Sequence, residues 1–335
     1  MAFLFNEELS KTDILKRIGD ISQIAGALPF EYTSGKAKGT NAIEVRNGNL
    51  RFVILTDRGM DIAYAEFDGI PVSYISKTGI VSPSHYDEPD FLRSFSAGLL
   101  TTCGLTYMGA PCVDQGVNLG AHGRISNEPA FDIGIVQEWQ DDDFIITVRG
   151  KVREATFFGE NIVLTRTIKT KLGDSKIEIK DSIENEGFEP VPLMVLYHIN
   201  FGYPLVCENT ALETNCINIR PRDAVAEAGI DKACEFSQPI HKYNEQVFYR
   251  NAVPQSYATL KNENLNLNVT VNFSGDELPY LIEWKQMGEK EYVVGLEPAT
   301  YPPDGRAKAR ERNELLYLAP NESKSYNITI EFSRI

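Results

Sequence analysis

Between residues 265 and 273, Leu265, Leu267, Val269, Val271 and Phe273 alternate with Asn266, Asn268, Thr270 and Asn272. A period of two puts every apolar side chain on one face of an extended strand, because successive side chains leave a pleated sheet on opposite sides. The pattern returns at 326–332, where Tyr326, Ile328, Ile330 and Phe332 alternate with Asn327, Thr329 and Glu331. It returns again at 176–183, with Ile177, Ile179 and Ile183 set against Glu178, Lys180 and Ser182. Further strands are expected at 50–55, 143–149 and 161–169, the last carrying Ile162, Leu164 and Ile168 on one face. One apolar and one polar face is how an antiparallel sheet meets a core on a single side. Such strands recur to the C-terminus with Gly, Pro, Asn and Asp between them, so the chain reads as all-β, a large antiparallel sandwich or barrel. The exception is a short helix near the start, where Ser10 and Asp13 make a capping box and Leu9, Ile14, Leu15 and Ile18 leave an apolar stripe before Gly19. No helix–strand alternation, flexible linker, low-complexity tract or short repeat breaks the pattern. Residues 1–335 are therefore expected to form a single domain, with 1–30 as an appendage packed against it.

Charge narrows the partners. The chain holds 33 Lys and Arg against 47 Asp and Glu, a formal net of -14. A field of that sign repels phosphate backbones and anionic headgroups, so nucleic acid and membrane surfaces are excluded as expected partners. Five cysteines without CxxC spacing argue for free thiols in a reducing compartment, and against a disulfide framework or a structural zinc site. The first twenty residues lack the basic start and apolar core of a signal peptide, and no apolar run reaches the ~20 residues of a membrane span. The expected location is the cytoplasm, and a homo-oligomer is compatible with everything above.

Four histidines are few enough to weigh singly. His85 and His241 sit in polar, turn-rich stretches and read as surface residues. His122 lies in NLGAHGRISNEPA, where flanking glycines either let the backbone approach a ligand or simply make a turn. His198 ends the apolar run PLMVLYHINFGYPL, which would carry it from the core to a rim beside Tyr197, Asn200, Phe201 and Tyr203. Aromatic faces and amides around an ionisable group suit a sugar, though a satisfied core histidine fits the same pattern. Glu297 follows an apolar strand in VVGLEPATYPPDGR and precedes Pro298, which is expected to force a turn. A carboxylate there is paired, hydrogen-bonded or functional. No two histidines share a short metal-site spacing, and neither GxGxxG, a Walker loop nor GxSxG occurs. No cofactor and no metal is expected. Cys103, without a base beside it, reads as a buried small residue.

LTDRGMDI at 55–62, SAGLLTTCGL at 96–105, AHGRISNEPA at 121–130, YHINFGYPL at 197–205 and GLEPATYPPDGR at 295–306 stand in this order. Together they resemble the aldose 1-epimerase (galactose mutarotase-like) superfamily, and more closely its divergent, little-characterised branch. The resemblance implies a β-supersandwich with a sugar cleft on its concave face, and an isomerase that interconverts α and β anomers of a free or modified sugar. By motif position it implies that Glu297 is the general base, His198 the general acid and His122 an assisting group at the sugar. The substrate arginine has three candidates, Arg93, Arg58 and Arg124. Asp57 in TDRGMDI either binds hydroxyls or caps its own turn. The chain has His-Ile-Asn-Phe-Gly at 198–202 where mutarotases close to the galactose enzyme have a His-Pro-Tyr-Phe-Asn type motif. A non-catalytic sugar-binding protein, or another epimerase or lyase on the same sandwich, stands as the competing reading.

Overall fold

Two antiparallel sheets face each other in the computed structural model, which describes residues 1–86 and 88–335. The first holds eight strands, in the order Ala130–Gln140, Asp143–Ala155, Asn161–Lys171, Lys176–Asn185, Ser323–Ser333, Leu267–Phe273, Ser256–Asn262 and Thr210–Thr214. The second runs Ile217–Pro221, Gln246–Asn251, Tyr280–Gly288, Glu291–Ala299, Val191–Gly202, Leu100–Leu105, Asp61–Phe67, Leu50–Leu55, Asn41–Arg46 and Gly26–Glu31.

The alternating segments explain the first sheet. Ile177, Ile179 and Ile183 lie opposite Ile330, Ile328 and Lys324 of the terminal strand, and Val269 and Val271 lie opposite Phe332 and Ile330. All of these apolar residues are buried in the main core, while their polar neighbours face outward. The strand expected from 265 begins at Leu267, because residues 263–266 form a turn with Asn266 at φ 51°. The centre of the second sheet is buried on both faces, which is why its strand Val191–Gly202 reads as an unbroken apolar run. Its odd residues, Val195, Tyr197, Ile199 and Phe201, enter the space between the sheets. Met194 and Leu196 belong to a separate cluster on the other face, with Cys103, Tyr249 and Ile282.

The N-terminal segment is more than an appendage. Its helix is short, Lys11–Leu15, capped by Ser10 and Asp13 in both directions. Ala2, Leu4 and Ile14 are buried in the main core, and Gly26–Glu31 forms the edge of the larger sheet.

Candidate active site

Strand register brings the site together. Leu196 lies opposite Ala299 and Ile199 opposite Leu296, which sets His198 across from Glu297 on neighbouring strands. Pro298 does not end its strand, which continues to Ala299. The missing N–H instead interrupts pairing with Val191–Gly202 at this point, while Leu281 still pairs Pro298 on the other side. His198 has even parity, so it points away from Tyr197 and Phe201 and sits on the buried floor of a cleft rather than on a rim. His198 Nε2 lies 3.2 Å from Glu297 Oε1, an ion-pair distance. The two atoms are not aligned as donor and acceptor: Glu297 Oε1 and His198 Nδ1 have no hydrogen-bond partner among the described residues.

His122 arrives from a loop. Its N–H donates to Gly109 O at 2.9 Å, its carbonyl accepts from Gly104 N at 3.0 Å, and Arg124 N donates to Gly104 O at 3.0 Å. These bonds hold His122 at φ 60°, a left-handed conformation rare for a residue with a Cβ. The His122 and His198 ring centroids are 5.9 Å apart. Phe91 stands 5.0 Å from His122, and Phe95 and Trp284 stand 5.2 and 5.3 Å from His198. The cleft so walled has a volume of about 720 Å³.

Charged groups ring the opening. Glu245 accepts from Trp284 Nε1 and from Arg222 Nη1, each at 2.8 Å, and Arg222 also pairs with Asp223. Asp304 and Lys308 complete this side, Lys308 on the short helix Arg306–Glu311 that Asp114 anchors through Arg306 and Arg310. Burial, helped by the nearby Glu245 charge, holds the Glu297 carboxyl well above the usual carboxylate range. Burial pushes both imidazoles the other way, His122 to about 4, while the neighbouring His122 lowers His198 further against a smaller raising influence of the Asn200 side chain. Desolvation therefore outweighs the attraction of a charged Glu297 for a charged His198 in this cleft.

Residues 37–332 match a family described as a domain of unknown function, DUF4432. The chain belongs to the DUF4432 family. No curated protein matches the chain. Its fold is that of the galactose mutarotase-like sandwich. A candidate aldose 1-epimerase from Klebsiella pneumoniae superimposes with a TM-score of 0.85 at 21% identity, covering 92% of this chain and 88% of its own. A galactose mutarotase-like protein from Clostridium acetobutylicum gives 0.67 at 16%, covering 93% and 100%. A galactose 1-epimerase from Lactobacillus acidophilus gives 0.61 at 13%, covering 92% and 99%.

In this DUF4432 chain Glu297, His198 and His122 converge on one cleft. The other sequence candidates do not line it. Asp57 is tied to the start of the neighbouring strand instead, accepting from Asn41 N at 2.8 Å and Asn41 Nδ2 at 2.9 Å. Arg58 is buried and donates to Val81 O at 2.7 Å, so it cannot reach a ligand. Arg93 is 78% exposed and pairs with Asp90, which does line the cleft. Arg124 lies 3.7 Å from Glu160 and over the Tyr107 ring. Asn200 is buried beneath the floor, its amide donating to Gly98 O and to the His198 carbonyl. Tyr203, 75% exposed, faces a different depression. His85 and His241 are exposed, and Cys103 is buried. Sequence reading missed Phe91, Phe95, Trp284, Arg222 and Glu245. Only Trp284, one of two tryptophans, carried any signal. No helix among the described residues is long and apolar enough to cross a membrane, and no cluster there suits a metal ion.

Proposed function

We propose that the chain interconverts the anomers of a cyclic aldose by acid–base ring opening and reclosure. The observation that carries this is the Glu297–His198 contact of 3.2 Å on the floor of an aromatic-walled cleft. Ring opening takes the proton from the anomeric hydroxyl and delivers one to the ring oxygen; the C1–O5 bond breaks as the C1 carbonyl forms. Glu297 as carboxylate takes the first proton and His198 as imidazolium gives the second. Opening therefore leaves a carboxylic acid and a neutral imidazole. Burial favours that same neutral arrangement, so the apolar walls support the open-chain stage. Rotation about C1–C2 presents the other carbonyl face, and the protons return on closure. His122, in van der Waals range of Phe91, orients the sugar, and the Phe95 and Trp284 faces suit its C–H surfaces.

A panel of freshly dissolved pure anomers, followed by polarimetry or NMR, tests this. Wild type should speed equilibration of at least one aldose, and Glu297→Gln and His198→Asn should each lower kcat by roughly 10²–10⁴-fold while staying folded. His122→Asn should cost less. Unchanged equilibration by folded Glu297→Gln on a turned-over sugar would place the base elsewhere. A sugar that binds without faster equilibration would make the protein a binder.

A further inference from the structure

The same face of the larger sheet carries a second depression, of about 840 Å³, that the reaction above does not use. Gly26–Glu31, Asn41–Arg46, Leu50–Leu55 and Asp61–Phe67 supply its floor. A ridge divides it from the cleft. Ser73 bridges Phe201, Tyr74 N donates to Asn200 O at 3.2 Å, and Gly98 N donates to Tyr74 O at 2.9 Å. Tyr74 OH then donates to Lys290 O at 2.9 Å and Lys77 pairs with Glu291, tying the ridge to the start of the Glu297 strand. Tyr74 packs against the cluster of Phe91 and Phe95 in the cleft wall and also lines the groove, so the two depressions share a wall.

Aromatic side chains dominate this groove, among them Phe30, Tyr32, Tyr64, Tyr74, Tyr203 and Tyr292. The hydroxyls of Tyr32, Tyr64 and Tyr203 have no hydrogen-bond partner among the described residues. Burial pushes the Tyr32 phenol up to about 12, which keeps it a neutral donor. The charged lining balances, Glu44 and Glu66 against Arg51 and Lys290. Arg51 is already engaged by Glu44 at 2.6 Å and by Glu66 at 3.5 Å, so a phosphate or carboxylate would have to displace them. A purely apolar ligand would strand the tyrosine hydroxyls without partners. An uncharged saccharide satisfies both constraints: its C–H faces stack on rings while its hydroxyls bond the phenols. The volume lies within the ~300–1,000 Å³ of ordinary ligand pockets, roomy for one ring.

We propose that this groove is a second saccharide-binding site, for an uncharged sugar or short glycan, that holds its ligand without chemistry. Its carboxylates, Glu44 and Glu66, are both committed to Arg51, and no histidine stands among its described lining residues to make an acid–base pair like that in the cleft. The test is ¹⁹F NMR of 3-fluorotyrosine-labelled full-length protein, with Tyr64 and Tyr203 assigned through Phe variants. The probes are D-galactose, maltotriose and, as the anionic control, glucose 6-phosphate. A neutral probe should shift both resonances in wild type and in Glu297→Gln. In the Tyr64→Ala, Tyr203→Ala double variant its Kd should rise by at least about tenfold. That variant should keep wild-type anomer equilibration, because both residues lie outside the cleft. No shift with either neutral probe, tighter binding of glucose 6-phosphate, or unchanged affinity in the double variant would overturn the proposal. Loss of turnover in Glu297→Gln reads the cleft alone, so the two sites fail independently.

Discussion

Glu297 and His198 share one proton whose position is open, since acid with imidazole and carboxylate with imidazolium hold the same number. Burial raises the first group and lowers the second, and both effects favour the uncharged arrangement. The pair then gains a proton only well below the ordinary histidine value of 6.5, and loses one only well above the ordinary carboxylate value of 4.5. The kcat/KM profile should be bell-shaped, with limbs that belong to the pair rather than to either residue. Its acid limb should lie below about pH 6.5. In the ligand-free protein at about pH 6, ¹⁵N shifts should report His122 and His198 as neutral. An imidazolium signal from His198 there would refute the burial argument. His122 also makes a linkage prediction. Its folded value of about 4 lies below its unfolded 6.5, so the unfolded chain binds the proton more tightly. The stability it contributes is complete above 6.5 and is lost as pH falls from there towards about 4. Melting temperature followed across that window should fall less steeply in His122→Asn than in wild type. Equal slopes would mean that His122 is not buried neutral.

The loop that presents His122 depends on the glycine after it. Gly123 has φ 79°, and a Cβ there would overlap the carbonyl oxygens of Gly104 and Tyr107. Glu154 secures the same corner from below, accepting from Leu105 N at 3.0 Å and Thr106 Oγ1 at 2.7 Å. Gly123→Ala should therefore destabilise the fold by roughly 1–3 kcal/mol. It should also cut kcat by about 10²-fold, because displacement of a positioning group by an ångström is enough. Wild-type values in denaturant titration and in anomer kinetics would show that the loop adapts. At this scale the sequence was uneven evidence. Strands such as Lys176–Asn185 and Ser323–Ser333 were legible because water wets one face and enforces alternation. Val191–Gly202 hid its parity, since both faces are buried, and His198 was consequently placed among Tyr197 and Phe201, which point the opposite way. Trp284 and Glu245 escaped notice because only register, Trp284 opposite Gly295, brings the indole beside Glu297. That neighbourhood needs Gly295, where a Cβ would collide with the Glu297 carboxylate.

Across the whole molecule, one buried cation ties the sheets together directly behind the cleft. Arg166 of the first sheet bonds Asp181 on its neighbouring strand at 2.9 and 2.7 Å, then crosses to Asp61 and Thr102 of the second sheet, each at 2.9 Å. Tyr197, next to His198, donates to Asp181 at 2.7 Å. Burial alone would lower the Arg166 value, but Asp181 and Asp61 outweigh it and hold the guanidinium charged. Removing it leaves two carboxylates in the core without a counter-charge. Arg166→Leu should lose about 3–5 kcal/mol, read as a lower urea midpoint at unchanged slope. Arg166→Lys should recover only part, because a single ammonium cannot make the forked contact to Asp181 and still reach the second sheet. Adding Asp61→Asn and Asp181→Asn to Arg166→Leu should recover stability relative to Arg166→Leu alone, since the stranded charges cause the loss. If the triple variant is weaker than the single one, packing and hydrogen bonding by the aspartates, rather than their charge, hold the two sheets in register.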